Sequence, residues 1–218
     1  MTTSILIIIL VIFFAYHFNK KSNLGKPNKK GREQTQKYYE EKYITPYHID
    51  VYKPVFKKSL RILNMLKPTK DVGILDVGCG MGEFAKYLRK ESFTNYLGFD
   101  ISTSGIDLAK KRIPEWDEKF IVHSAYELED IDFDYKVVVA IEVLEHINDL
   151  KFISQLKSGT LLIGSVPNYW SSNDEHLRVY PNKLNIWWRF KKYMSFKTLY
   201  KHKWNRYRFV HIFSAQII

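Results

Sequence analysis

The chain has 218 residues, with 34 Lys and Arg against 23 Asp and Glu, and a formal charge of +11. That length supports one good core and not two ordinary domains, and 45% hydrophobic with 26% charged residues excludes a disordered, collagen-like or multi-span membrane chain. A single cysteine, Cys79, excludes a disulfide framework and a cysteine-cluster metal site.

The charge is unevenly spread. Residues 19–42 carry eight basic against three acidic side chains, and residues 177–218 carry ten basic and no acidic ones. The stretch between them, with 16 basic and 20 acidic residues, is mildly acidic, which argues against a protein built to wrap nucleic acid.

At the start, Ile5 to Tyr16 (ILIIILVIFFAY) is unbroken apolar sequence, and its neighbours extend it to the lower limit for a membrane crossing. No Lys or Arg precedes it and Ala15-Tyr16-His17 is a poor cleavage site, so the pattern predicts a retained single-pass anchor over 4–18. A cleaved signal or a monotopic hairpin is the alternative. The Lys-rich, Gly- and Pro-containing stretch 19–37 reads as a basic juxtamembrane linker, which places the following domain, 38–218, on the cytoplasmic side.

Between 50 and 166 short β-rich runs alternate with helical patterns, the mark of βαβ units around a parallel sheet. A helix is expected over 53–66, with Val55, Phe56, Leu60, Leu63 and Leu66 on one side. Strands follow at 72–77, 96–99, 120–123, 135–141 and 160–166, with helices at 83–90, 104–112 and 149–156. The fold class is therefore α/β, a doubly wound, mostly parallel sheet whose ligand crevice lies at the carboxyl ends of the strands.

The first strand runs into Asp76-Val77-Gly78-Cys79-Gly80-Met81-Gly82. Alternate glycines let the backbone turn sharply and let a ligand approach without a Cβ in the way. The spacing is neither the dinucleotide fingerprint nor a triphosphate loop. Asp100, about twenty residues on at the end of the second strand, can accept both hydroxyls of a ribose. A nucleoside-containing ligand without a demanding phosphate fits this set.

Here the sequence resembles the seven-strand, class I methyltransferases that use S-adenosylmethionine. The resemblance rests on ILDVGCGMGEFAKYL (74–88), YLGFDIS (96–102), VVVAIEVLEHI (137–147) and LLIGSVPN (161–168), in the family's order and spacing over roughly 38–170. It implies that Gly78, Gly80 and Gly82 form the cofactor loop, that Asp76 lies near the cofactor's amino group, and that Asp100 holds the ribose. Glu142 would border the crevice. Where the family commonly has an adenine-reading Asp, this chain has His123-Ser124-Ala125, leaving Ser124 as the weaker substitute. Without the other motifs, the glycines and Asp76 would fit simple strand-to-helix packing equally well.

For an oxygen acceptor, the remaining tasks are alignment and removal of a proton. Candidates follow the fourth strand in Glu142-Val143-Leu144-Glu145-His146. If that turn is helical, Glu142, Glu145 and His146 share a face. A further His lies in Asp174-Glu175-His176. Two carboxylates and two imidazoles would suit a divalent cation such as Mg²⁺, and the set Glu142, Glu145, His146 and His176 resembles that of the small-RNA terminal 2′-O-methyltransferases. The Glu-Val-Leu-Glu-His run also resembles the quinone-biosynthesis O-methyltransferases, and it recurs in class I enzymes with no metal role. His146, with Glu145, is the expected acceptor-side catalytic group.

Over 184–201 a helical stripe would join Trp187, Phe190 and Met194, and 208–218 reads as a closing strand. Lys, Arg and Trp in this segment suit an anionic membrane surface, and RNA could also stack on Trp187, Trp188 or Trp204. The sequence thus predicts a membrane-anchored methyltransferase acting on an oxygen of a small, lipidic or glycan-linked acceptor. The alternatives are a metal-assisted RNA 2′-O-methyltransferase and a non-catalytic, membrane-tethered binding module.

Overall fold

The computed structural model describes residues 31–44 and 49–218. The expected anchor at 4–18 lies outside the described residues. Among the described residues no helix is long and apolar enough to cross a membrane.

The chain enters with helix α1 (Gln36–Ile44) and helix α2 (Lys53–Met65). Five strands and three helices follow: β1 (Ile74–Val77), α3 (Glu83–Lys90), β2 (Tyr96–Asp100), α4 (Thr103–Arg112), β3 (Phe120–Val122), β4 (Val137–Ile141), α5 (Asp149–Ile153) and β5 (Leu161–Pro167). Helix α6 (Lys183–Phe190) and the strands β6 (Met194–Lys203) and β7 (Phe209–Ile217) complete the domain. The seven strands lie in the order β3-β2-β1-β4-β5-β7-β6, with β1 to β5 parallel and β7 antiparallel to both β5 and β6.

Consecutive apolar residues in the central strands explain the layers. Side chains alternate across a sheet, so Leu75, Val138, Leu162 and Phe213 enter one core while Ile74, Val137, Val139, Ile163 and Ile212 enter the other. Both faces are covered, hence the unbroken apolar runs. The chain steps outward from β1 through β2 to β3, then returns to place β4 on the other side of β1. That reversal opens a crevice above the carboxyl ends of β1 and β4.

Two expectations are corrected, and one element is added. Helix α2 buries Val55, Ser59, Ile62 and Leu63, a face rotated from the expected one, and leaves Leu66 at 38% exposure. The 184–201 helix ends at Phe190, because Met194–Lys203 pairs with β7 along its length; Phe190 is buried, Trp187 is exposed, and Met194 begins a strand, so the three form no single stripe. Helix α1 was not anticipated, since its sequence QKYYEEKYI has no apolar face to betray it.

Candidate active site

One cleft of about 1060 Å³, its open mouth included, runs along the carboxyl ends of β1, β2 and β4. Gly78, Asp100, Ser124, Glu142, Glu145, His146 and His176 all line it, so seven of the ten residues singled out from the sequence meet at one place. Asp76 and Gly80 line an adjoining hollow that shares Gly78 and Glu142 with it. Gly82 stands just behind, before α3, packed towards Ala109 and Phe120.

At one end lie the glycine loop and two carboxylates, Asp76 and Asp100. Gly78 and Gly80 adopt left-handed φ of 65° and 52°, a region costly for any residue with a Cβ. A Cβ at Gly78 would stand 2.6 Å from Val143 Cγ2, and one at Gly80 2.6 Å from Tyr43 Oη. Asp100 Oδ2 accepts the Gly80 N–H at 3.0 Å and Oδ1 the Ser102 N–H at 2.9 Å, so the end of β2 is tied to the loop. Burial raises the Asp100 carboxyl, and those two N–H groups oppose the rise. Asp76 accepts the Tyr96 hydroxyl at 2.9 Å, and burial pushes its carboxyl up to about 7. Ser124 Oγ accepts the Tyr126 N–H at 3.1 Å, which fixes the loop after β3 against the same cleft.

At the other end the chain leaves β4 through Glu142, whose φ of 55° breaks any helical continuation. Glu142 therefore does not share a helical face with Glu145 and His146. Its carboxylate accepts the Ser165 hydroxyl at 2.6 Å, its own N–H donates to the same oxygen at 2.9 Å, and it stays outside the cluster that follows. Burial holds its carboxyl above the ordinary range. The next turn brings Glu145 and His146 against His176, with one ligand atom from each lying within 4.8 Å of the others.

Glu145 is wholly buried, and neither carboxylate oxygen has a hydrogen-bond partner among the described residues. The imidazoles, in contrast, are both oriented. His146 Nδ1 lies 2.9 Å from the Glu175 carbonyl oxygen and His176 Nδ1 2.9 Å from that of Tyr169. A carbonyl can only accept, so each Nδ1 carries the proton and each Nε2 keeps its lone pair. Burial, reinforced by His176, lowers His146 far below the usual histidine value, and burial lowers His176 as well. Both rings are thus neutral at pH 7, while burial and Glu142 raise the Glu145 carboxyl.

The sequence reading missed the roof. Glu40 of α1 accepts the N–H groups of Thr103 and Ser104 at 2.7 Å each, capping α4 from outside. Tyr43 reaches Asp100 Oδ2 at 3.4 Å, and Tyr39 meets His146 edge-on at 6.4 Å. Lys42 and Tyr38 hold Glu175 Oε2 at 2.8 and 3.0 Å. Burial would raise Glu175, but Lys42 brings its carboxyl down to about 2. The segment before α1 lies here too: Arg32 N–H donates to Asp174 O, and Gly31 packs against the His176 carbonyl. The sequence signal for this layer is slight: Tyr39 and Tyr43, and likewise Tyr38 and Lys42, stand four residues apart.

The sheet order, with its last strands reversed, and a glycine-lined crevice facing a ribose-type carboxylate define the class I methyltransferase architecture. Comparison with known proteins agrees. A family profile described as a methyltransferase domain matches residues 47–215, and the chain belongs to that family, whose class I members take their methyl group from S-adenosylmethionine. It is 28% identical over 120 residues to a ubiquinone biosynthesis O-methyltransferase of Pelagibacter ubique, covering 54% of this chain and 49% of that protein. It is 30% identical over 97 residues to an O-methyltransferase of Pyrenophora dematioidea, covering 43% and 36%. The chain thus spans half or less of the length of these curated relatives. Among solved structures, the N-methyltransferase NodS of Bradyrhizobium japonicum superposes with a TM-score of 0.65 at 13% identity, over 84% of this chain and 97% of that one. The magnesium protoporphyrin IX methyltransferase ChlM of Synechocystis gives 0.62 at 16%, over 84% and 92%. The methyltransferase domain of bacterial CtHen1 gives 0.58 at 20%, over 75% and 98%. At these identities the structural likeness is one of fold.

Proposed function

We propose that this chain is a membrane-anchored O-methyltransferase that transfers the methyl group of S-adenosylmethionine with the help of a divalent cation. The observation that carries the reading is Glu145: a wholly buried carboxylate with no hydrogen-bond partner, facing two neutral imidazoles whose Nδ1 protons are engaged elsewhere. Buried polar groups are ordinarily paired, and oriented imidazoles beside a bare carboxylate are the donor set of a metal site with its outer hydrogen bonds in place. The residues fit a cation. Glu145, His146 and His176 would hold it, and two nitrogens with one oxygen suit Mn²⁺, Fe²⁺ or Zn²⁺ better than Mg²⁺. When bound, such an ion supplies a Lewis acid that acidifies an acceptor hydroxyl.

The chain's own residues do the rest. Gly78 and Gly80 would admit the cofactor's methionine portion, Asp76 would meet its ammonium, and Asp100 would take the ribose hydroxyls. Methyl transfer from a sulfonium needs alignment and exclusion of water more than covalent help. Tyr39 and the α1 roof narrow the open side of the acceptor end. His146 is better suited to ligation than to acting alone as a base, because an imidazole held so far below its ordinary value is a poor proton acceptor. The O-methyltransferase names of two relatives support an oxygen acceptor. The apolar run at 5–16 and the basic stretch after it support an anchor that leaves the domain facing the cytoplasm, beside lipidic or glycan-linked acceptors.

The test needs no known acceptor. Calorimetry of the full chain in detergent should show S-adenosylmethionine binding that is lost in Asp100→Ala, and electron paramagnetic resonance should show one Mn²⁺ per chain that is lost in Glu145→Gln. Cofactor binding without any Mn²⁺ site would refute the metal-assisted part alone. An acceptor screen in which only RNA 3′ ends are methylated would replace the lipidic acceptor with RNA.

A further inference from the structure

Helix α6 is apolar on two opposite sides. Ile186 and Phe190 face inward and are fully buried. Leu184, Trp187 and Trp188 form the outward stripe, with exposures of 60%, 44% and 58%. Their spacing of three and four residues puts them on one face of the helix. Three large apolar side chains grouped on a surface mark a contact site, whereas single exposed ones are ordinary.

The charge and ring geometry say what the contact is. Lys191 continues the stripe and lies over both indoles, 3.5 Å from the Trp188 centroid and 4.8 Å from that of Trp187. Residues 177–218 contain no acidic side chain at all, so the surroundings favour an anionic partner. A nucleic acid base would need an open aromatic face on which to stack. Here the two indoles stand edge to face, 5.2 Å apart at 78°, and the lysine covers the Trp188 face. Leu184, the most exposed of the three, would have no role against RNA. A lipid surface uses every element: Leu184 and the indoles enter the headgroup boundary, and Lys191 and the exposed Lys192 reach anionic headgroups while their stems stay with the apolar residues.

We propose that the outer face of α6 is a docking surface for an anionic phospholipid bilayer. It rests on α6 alone and is independent of the N-terminal anchor and of the reaction. The full chain, reconstituted in vesicles of phosphatidylglycerol and phosphatidylcholine with brominated acyl chains, provides the test. Residues 1–30 contain no tryptophan, so quenching of tryptophan emission reports on the domain and not on the anchor. Quenching is expected in wild type, and Trp187→Phe with Trp188→Phe should abolish most of it. Lys191→Glu with Lys192→Glu keeps both indoles and should reduce quenching by more than half. So should phosphatidylcholine alone, or salt near 1 M, where the Debye length shrinks to about 3 Å. Wild-type quenching that the double Phe variant leaves unchanged would overturn the proposal. So would unaltered vesicle quenching in a variant that has lost affinity for a single-stranded RNA oligomer.

Discussion

Glu145 offers the sharpest test, because stability and function should move in opposite directions when it is replaced. Glu145→Met removes both oxygens with an unbranched side chain of similar length. A buried polar group without a partner costs about 1–3 kcal/mol, more if charged, and both oxygens of Glu145 are in that position. For a domain of this size about 1 kcal/mol moves the melting temperature by roughly 2–4 °C. In chelator, therefore, Glu145→Met should melt about 2–12 °C higher than wild type. Adding Mn²⁺ reverses the order. A ligand at a hundred times its dissociation constant stabilises the folded state by about 2.7 kcal/mol, and only wild type should gain it. Scanning calorimetry of both proteins, with chelator and then with Mn²⁺, measures all four values. A variant that melts below wild type in chelator, or two proteins that gain equally from Mn²⁺, would show that Glu145 is an ordinary core residue and not a ligand awaiting its ion.

Further outcomes follow from the same geometry. Gly80→Ala meets an unfavourable φ of 52° and puts a Cβ 2.6 Å from Tyr43 Oη; we expect about 1–2 kcal/mol of backbone strain, a melting point lower by several degrees and weaker cofactor binding by calorimetry, and unchanged binding would mean that the loop does not cradle the cofactor. Asp149 is wholly buried between Arg178 at 2.7 Å, Arg189 at 2.5 and 2.6 Å and the Tyr180 hydroxyl at 2.6 Å, so Asp149→Ala removes the partner of two partly exposed guanidinium groups and a buried hydroxyl and should cost about 1.5–3 kcal/mol in urea unfolding. Tyr43→Phe frees Asp100 of a competing hydroxyl; a hydrogen bond as long as 3.4 Å, worth about 0.5–1.5 kcal/mol, predicts cofactor binding roughly 2–10 times tighter, and weaker binding would show that the hydroxyl instead helps hold the cofactor. The raised carboxyl of Asp76 titrates near 7. Since the cofactor's ammonium needs that carboxylate ionised, affinity should rise with pH up to about 7 and then level off, and Asp76→Asn should remove this dependence.

The parts legible in the sequence were those where chemistry and backbone shape demand a particular residue. Left-handed turns called for glycine at 78 and 80, the sheet's two buried faces called for unbroken apolar strands, and the carboxylate at the end of β2 ties that strand to the glycine loop. Five strands and the glycine-lined end of the cleft were readable for that reason. The acceptor end was half readable: Glu145, His146 and His176 do converge, yet Glu142 leaves them because its left-handed φ breaks the helical spacing on which the grouping depended. What pattern reasoning missed is held by tertiary contacts. The strand β6 is specified by pairing with β7, and α1 buries no apolar stripe, holding to the domain through Glu40, Lys42 and three tyrosines.

Those polar contacts make α1 more than a cover. Tyr43 touches Asp100, where the ribose would sit, and Lys42 and Tyr38 grip the side chain of Glu175, whose carbonyl fixes the tautomer of His146. Next along the chain, Leu177 N–H donates to the Glu145 carbonyl at 2.7 Å, and Arg178 donates to that of Ile147 at 2.8 Å while paired with Asp149. The turn that carries Glu145 and His146 is therefore held from one side by residues 175–178 and from the other by its own attachment to β4. Any shift of α1 that follows loss of the Tyr43 contact is passed through Glu175 to His146. In Lys42→Met, with Glu175 released, the His146 ring loses its orientation while the glycine loop stays intact. Mn²⁺ affinity should fall by tenfold or more, since removing such outer partners typically costs about 10–100-fold, while S-adenosylmethionine affinity stays within about twofold, about 0.4 kcal/mol of change. Equal losses at both ends would mean that α1 serves only to hold the domain together.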